Sequence, residues 1–375
     1  MSNVKRIVAL LGFSTAVLAS PLLARNYNEG SIVPDKYIIR VAPGTYDTDF
    51  ESHLSWVTSV HKRSLTRRST VGVEKTFSVD DNPGYPSSCS VGPFKPVFDN
   101  SSLVDGSSSS PYVYDSTAGE GTYAYVLDSG VITEHAEFEG RAIRGYNAWA
   151  PNYPFKDEFG HGSHVAGIIG AATYGVAKKA AVVDVKVVQG LGYSTVAHVL
   201  DGYSWAVNNI TNTPGRVSKA VINMSLAFPK RDAMNSSVDA AFDLGVTTMV
   251  GAGNDGKDAS AKSPASAQKA ITVGAIAWNW TRADWSNFGP DVNIFAPGLD
   301  IPSLWRQPGQ VSVVSGTSMT TPHVAGLVAY LQALFPLENA AAVVEKLNEL
   351  AVKGVVGNLG SGNANVLAHS GVVSV

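Results

Sequence analysis

The chain has 375 residues, 45% of them hydrophobic and 16% charged, which is enough apolar material for one large globular domain and a smaller segment. A formal net charge of -3 with no Lys/Arg block excludes the electrostatic footprint of a nucleic-acid binder. Cys89 is the single cysteine, so no internal disulfide can form and stability must come from the core.

Residues 1–24 read as a secretory leader: Lys5 and Arg6 precede an apolar run over 7–19, and Ala19 or Ala24 offers a small-residue cleavage site. That run is too short to span a membrane, and no later stretch reaches eighteen apolar residues, so a soluble, secreted mature protein without a membrane partner is expected. Residues 36–78 suggest a small separate unit, β-like at 37–41, helical in spacing at 50–61 and β-like again at 71–77. Residues 79–111 are rich in Ser, Pro and Gly and read as a linker or processing region. Cys89 lies in it with no nearby histidine, an incidental thiol. Acceptor sequons stand at Asn100, Asn209, Asn235 and Asn279, the expected glycan sites; Asn223 has one too, but inside an apolar strand pattern.

From residue 112 onward short apolar strands alternate with longer helical runs. Strands are predicted at 123–127, 182–188, 220–223, 247–251, 270–273 and 292–295. Helices are predicted at 164–171, 195–208, 235–244, 322–334 and 339–350. In 195–208 the positions Val196, Val199, Leu200, Tyr203, Ala206 and Val207 make one apolar face. This alternation predicts an α/β fold, a mostly parallel twisted sheet with helices on both faces, whose chemistry sits at the carboxyl ends of the strands.

Three residues occupy such ends or helix starts. Asp128 closes the strand at 123–127, His161 lies in Gly160-His-Gly-Ser-His-Val-Ala-Gly167, and Ser318 lies in Gly316-Thr-Ser-Met-Thr-Thr-Pro-His-Val-Ala-Gly326. At a helix start Ser318 is either an ordinary N-cap or a nucleophile beside free N–H groups. A serine nucleophile needs an adjacent base, and a histidine base needs a carboxylate to hold its tautomer; all three types are present. His161 and His164 do not make the zinc-protease pattern, because Gly162 stands where that pattern needs glutamate. His164 reads as a helix-start or core histidine, His323 as packing, and Asp157 as a solvated loop residue. Asn254, within Asn-Asp-Gly, reads by itself as turn chemistry.

These three blocks resemble the motifs of subtilisin-like serine proteases. Tyr174-Gly-Val-Ala-Lys-Lys179, Ser263-Pro-Ala-Ser266 and Thr272-Val-Gly-Ala275 make the chain look most like the proteinase K branch. The likeness runs from about 112 to 367, and 36–78 resembles, more weakly, the first half of that family's inhibitory propeptide. The division it implies is a leader at 1–24, a partial propeptide and processing region at 25–90, and a peptidase domain at 91–375. The resemblance implies a secreted, extracellular serine endopeptidase, made as a zymogen. It would act as a monomer on protein and peptide substrates, with its own propeptide as intramolecular inhibitor.

Ser318 would be the nucleophile, His161 the base, Asp128 its orienter and Asn254 the oxyanion donor. Gly190, Leu191 and Gly192 would form one substrate edge and Ser225, Leu226 and Ala227 the other. Ala252 and Gly253 would line the pocket for the residue before the cut, with a liking for apolar or aromatic side chains.

The departures bear on detail. Ser129 and Ser163 stand where threonine is usual, and Thr320 replaces an alanine, placing a hydroxyl close to the site. Ala227 replaces a glycine, the 190–192 segment is shortened, and the propeptide's second helix and last strand have no clear counterpart. No cofactor or metal is needed for the chemistry. Asn293 stands where relatives carry a calcium-binding aspartate, so one less negative charge predicts a weaker structural calcium site or none.

Overall fold

The computed structural model describes residues 17–23, 32–41 and 112–371, apart from 113, 151, 191 and 361. The chain divides into two units, Met1–Asp80 and Asp81–Val375. In the first, β1 (Val17–Leu23) pairs antiparallel with β2 (Ile32–Val41). The β-like stretch 37–41 falls inside β2, whereas the elements expected at 50–61 and 71–77 and the linker 79–111 lie outside the described residues.

In the second unit the strands are β3 (Tyr123–Asp128), β4 (Ala142–Asn147), β5 (Ala181–Lys186), β6 (Ala220–Met224), β7 (Phe228–Pro229), β8 (Thr247–Gly251) and β9 (Lys262–Ser263). After these come β10 (Ile271–Ile276), β11 (Ile294–Pro297), β12 (Ile301–Leu304), β13 (Val311–Val314), β14 (Val352–Lys353) and β15 (Val366–Leu367). The helices are α1 (His161–Gly170), α2 (Val196–Thr211), α3 (Asp232–Asp243), α4 (Thr317–Leu334) and α5 (Ala340–Leu350).

The main sheet runs β14-β15-β11-β10-β8-β6-β3-β5-β4, and every pair in it is parallel except β14 with β15. Chain order moves one way from β3 to β5 and β4, then returns to the other side of β3 with β6 and continues outward to β8, β10 and β11. The reversal falls at β3, and the crevice at its carboxyl end is the topological switch point of such a sheet.

Strand alternation explains how both faces are covered. Ala124 and Val126 of β3 pack in one cluster with Val165, Ile168 and Ile169 of α1 and Leu327 and Val328 of α4. The intervening Tyr125 reaches the opposite face, where its hydroxyl donates to Asn209 Oδ1 of α2 at 2.6 Å. Helix α2 is capped by Thr195, whose side chain accepts from the His198 N–H. The six residues of its predicted apolar face are all fully buried. Sequence reading missed β4, an edge strand carrying Arg144 and Gly145, and the β12–β13 hairpin, whose four-residue strands are too short to show a period.

Helix α4 begins at Thr317, five residues before the predicted start, with Pro322 inside it. Proline has no N–H for the carbonyl of residue i−4, which here is Ser318. That carbonyl accepts from Ser225 Oγ at 2.8 Å instead, so the proline is tolerated and the helix start is tied to the end of β6.

Candidate active site

Asp128 is the last residue of β3, where the buried ladder opens into the crevice, and only 1% of it is exposed. Its Oδ1 accepts from the Ser129 N–H at 2.7 Å and from His161 Nδ1 at 2.8 Å. A carboxylate only accepts, so the proton sits on Nδ1 and leaves Nε2 as the acceptor of the neutral ring. Burial disfavours the charged imidazole. The Asp128 charge and hydrogen bond, with a further contribution from Asp157, outweigh that and raise the His161 pKa above the ordinary histidine value.

His161 opens α1, and the approach of this helix to the turn after β3 is close. A Cβ at Gly162 would come within 2.1 Å of the Gly130 carbonyl oxygen, so only glycine fits there. Asp157 holds the two segments together and is fully buried, not solvated as its loop setting suggested. Its Oδ1 accepts from Ser129 Oγ, Phe159 N and Gly160 N, and its Oδ2 from Ser163 N. Ser129 Oγ in turn accepts from Gly162 N, and Ser163 Oγ from Ile132 N, so both serines tie the loop to the helix start.

Ser318 stands in the first turn of α4, where backbone N–H groups lack helical acceptors. Val126 pairs with Asn223, so Asp128 and Ser225 each stand two residues further on, toward the carboxyl ends of neighbouring strands. Ser318 Oγ donates to the Ser225 carbonyl at 3.2 Å, which brings it to the carboxyl end of β6, the strand beside β3. Its described hydrogen bond is to Ser225, not to His161. Asn254 follows β8, and its Oδ1 accepts from both Thr317 N and Thr317 Oγ1 at 2.9 Å. A backbone N–H can only donate, so this pairing sets the amide orientation and turns Nδ2 the other way. The position a Cβ would take at Gly316 lies 3.5 Å from Asn254 Nδ2 and 3.7 Å from Ser318 N, so two donors flank one point beside the serine.

The remaining predicted positions divide. Ser225, Leu226 and Ala227 leave β6 as a buried segment, with Ala252 and Gly253 across from them. Gly190 and Gly192 lie in a turn between reciprocal Gln189–Tyr193 backbone bonds, and Leu191 lies outside the described residues. Thr320 directs its hydroxyl back to the Thr317 carbonyl at 2.9 Å, so it does not present the added polar group to the site that its position suggested. His164 and His323 are fully buried, and burial depresses their pKa values to about 3 and about 4. Of the sequons, Asn100 lies outside the described residues and Asn279 is exposed. Asn209 accepts from Tyr125, and Asn235 is buried between Ser263 and Ser266. The fold has no room for a sugar on Asn235, which corrects the expectation there.

Several residues that shape the site were not singled out from sequence. Phe159 stacks on His161, with ring centroids 5.8 Å apart and planes 17° apart, and its edge faces Gly192. Lys186 and Asp184 are charged residues hidden in the apolar run of β5, and both are fully buried. Lys186 Nζ donates to the Ser129 and Lys156 carbonyls, bracing the turn after Asp128. Burial raises the Asp184 pKa well above the ordinary carboxylate value. The signal available in the sequence was the interruption of a buried strand by two charges two residues apart.

An open parallel sheet that gathers aspartate, histidine and serine at its switch point has the layout of an α/β serine hydrolase. The profile of the subtilase family, Peptidase S8, matches residues 119–364. The alkaline proteinase of Hapsidospora chrysogena is 42% identical, with 99% of each chain covered, and alkaline protease 1 of Aspergillus flavus is 40% identical, covering 99% of this chain and all of the relative. A crystal structure of a cold adapted subtilisin-like serine proteinase is 38% identical with a TM-score of 0.64, covering 69% of this chain and 92% of the other. The chain belongs to the subtilase family and is a serine-type endopeptidase, so its substrates are proteins.

Proposed function

We propose that the chain is a secreted subtilisin-like endopeptidase, made as a zymogen and working as a monomer. It would hydrolyse peptide bonds of extracellular proteins with broad specificity through an acyl-enzyme. Full-length similarity to alkaline proteinases supports the precursor reading, because the match extends well ahead of residue 119. The propeptide would inhibit the enzyme until it is cut away.

In this reading Ser318 Oγ attacks the carbonyl carbon of the scissile bond while His161 Nε2 takes its proton. Asp128 keeps the other ring proton on Nδ1 and stabilises the imidazolium that forms. The oxyanion settles between Asn254 Nδ2 and Ser318 N, and His161 then protonates the departing amine. Water repeats the sequence to release the acid and restore Ser318. The Ser318–Ser225 bond has to give way to one with His161 as substrate seats, a tightening usual between free and bound states. The observation that carries the assignment is the pair of donors beside Ser318, with the nearby imidazole already held in its neutral tautomer by Asp128.

Calcium has no step in this mechanism. Asn293, at the position of the relatives' aspartate, already accepts from Thr272 N through its side-chain oxygen at 2.7 Å. We read Asn293 as a clasp between β10 and β11 in place of an ion.

The test is Ser318→Ala on a chromogenic peptide, with fluorophosphonate labelling of the wild type. Turnover should fall by about 10⁶, a magnitude measured in subtilisin and carried over here. Activity close to wild type in the variant, or no adduct at Ser318 in folded wild type, would overturn the assignment.

A further inference from the structure

We propose that Ala227 narrows the pocket for the side chain on the acyl side of the cut, making this enzyme selective for small residues and poor at accepting aromatic ones there. The inference rests on the mechanism above and replaces the expected liking for aromatic residues.

The reacting carbonyl carbon must lie about 3–3.5 Å from Ser318 Oγ, with its oxygen beside Asn254 Nδ2 and Ser318 N. Ser225 O lies 3.2 Å from that same Oγ. The residue bearing the carbonyl is therefore flanked by the segment leading from Ser225 to Ala227 and by the segment leading from Ala252 to Asn254. Its side chain has to enter between them.

At Gly253 an added Cβ would stand 3.6 Å from the Ala227 methyl. Gly253 Cα itself is then within about 5 Å of that methyl, one carbon–carbon bond of about 1.5 Å being the most that can be added. A flat ring held between two walls needs carbon contacts of about 3.5 Å on each face, roughly 7 Å from wall to wall. A phenyl ring therefore cannot lie between the Ala227 methyl and Gly253 Cα, whereas a methyl or short aliphatic chain can lodge beside them.

Neither wall yields easily. Gly253 N donates to Thr317 Oγ1 at 3.1 Å, its carbonyl accepts from Asn287 N at 2.9 Å, and Asn287 Nδ2 holds the Ala252 carbonyl at 2.9 Å. On the other side Ala227 runs directly into Phe228, which is fully buried and paired with Ser263. Glycine at 253 is itself required, because its φ is +101° and a Cβ would meet Asn287 Nδ2 at 2.5 Å. The methyl of Ala227 is thus the one group at the constriction that substitution can remove without disturbing the other wall.

The experiment compares peptide p-nitroanilides that differ only in the residue before the anilide, Ala, Leu or Phe, on wild type, Ala227→Gly and Ala227→Val. Wild type should show kcat/KM for Ala or Leu at least tenfold above Phe. Ala227→Gly should raise the Phe:Ala ratio by about 10–100-fold, the scale of one methyl-sized change in a binding pocket. Ala227→Val should lower the Leu:Ala ratio, which keeps the test open if the glycine variant folds poorly. A wild type that cleaves Phe as well as Ala, or ratios unmoved by both substitutions, overturns the inference while leaving the protease assignment standing. No cleavage of any substrate, together with no fluorophosphonate adduct, overturns both.

Discussion

Thr317→Val tests how Asn254, the proposed oxyanion donor, is held. The side chain is nearly isosteric and buried, so its volume is kept while two polar links are lost. Thr317 Oγ1 donates to Asn254 Oδ1 at 2.9 Å and accepts from Gly253 N at 3.1 Å. Asn254 retains its bond from Thr317 N, so one of its two anchors remains. Deleting an oxyanion donor outright costs about 10²–10³ in kcat, or about 2.7–4 kcal/mol, a benchmark measured in subtilisin. Loss of one anchor, worth about 1 kcal/mol, should let the amide swing and lower kcat about 5–10-fold with KM little changed. The unpaired Gly253 N–H should also lower stability by about 1–3 kcal/mol. Steady-state kinetics on a peptide anilide would be measured for Thr317→Val, Asn254→Ala and the double variant, with denaturant unfolding of each in a Ser318→Ala background to prevent self-digestion. Since Thr317 acts through Asn254, the double variant should have the kcat of Asn254→Ala alone. Losses in kcat that multiply, or a Thr317→Val kcat within twofold of wild type beside a hundredfold loss in Asn254→Ala, would refute the reasoning.

Two expectations concern pH. In the proposed mechanism His161 must be neutral to act as base, and Asp128 raises its pKa, so activity should be lost as pH falls through a value above the ordinary 6.5; an acid limb of kcat/KM at or below 6.5 would contradict the geometry. His164 and His323 are instead held neutral by burial, with pKa values of about 3 and about 4, whereas the unfolded chain protonates them near 6.5. Their contribution is complete above 6.5 and declines as pH falls below it, by about 2 kcal/mol each at pH 5. Denaturant midpoints of the Ser318→Ala protein at pH 7 and pH 5 would measure this, and equal midpoints would show that these two histidines are not buried neutral.

Much of the fold was legible in the sequence because it rests on local repetition. The parallel sheet, the capped apolar face of α2 and the strand ending at Asp128 follow from hydrophobic period and from residues within one turn of each other. The candidates Asp128, His161 and Ser318 were legible because each lies in a short block whose neighbours must be small, as Gly162 illustrates against the Gly130 carbonyl. Asn254 was singled out only by resemblance, since Asn-Asp-Gly by itself is turn chemistry. What the tertiary structure alone decided depends on partners far apart in the chain. Asp157 is a buried organiser because four donors from separate residues converge on it, and Pro322 can sit within α4 because Ser225 supplies the hydrogen that proline lacks. Ala227 shows the difference at its smallest scale. The sequence marks one extra methyl, but whether it matters depends on the distance to Gly253, and packing between two segments of the sheet sets that distance.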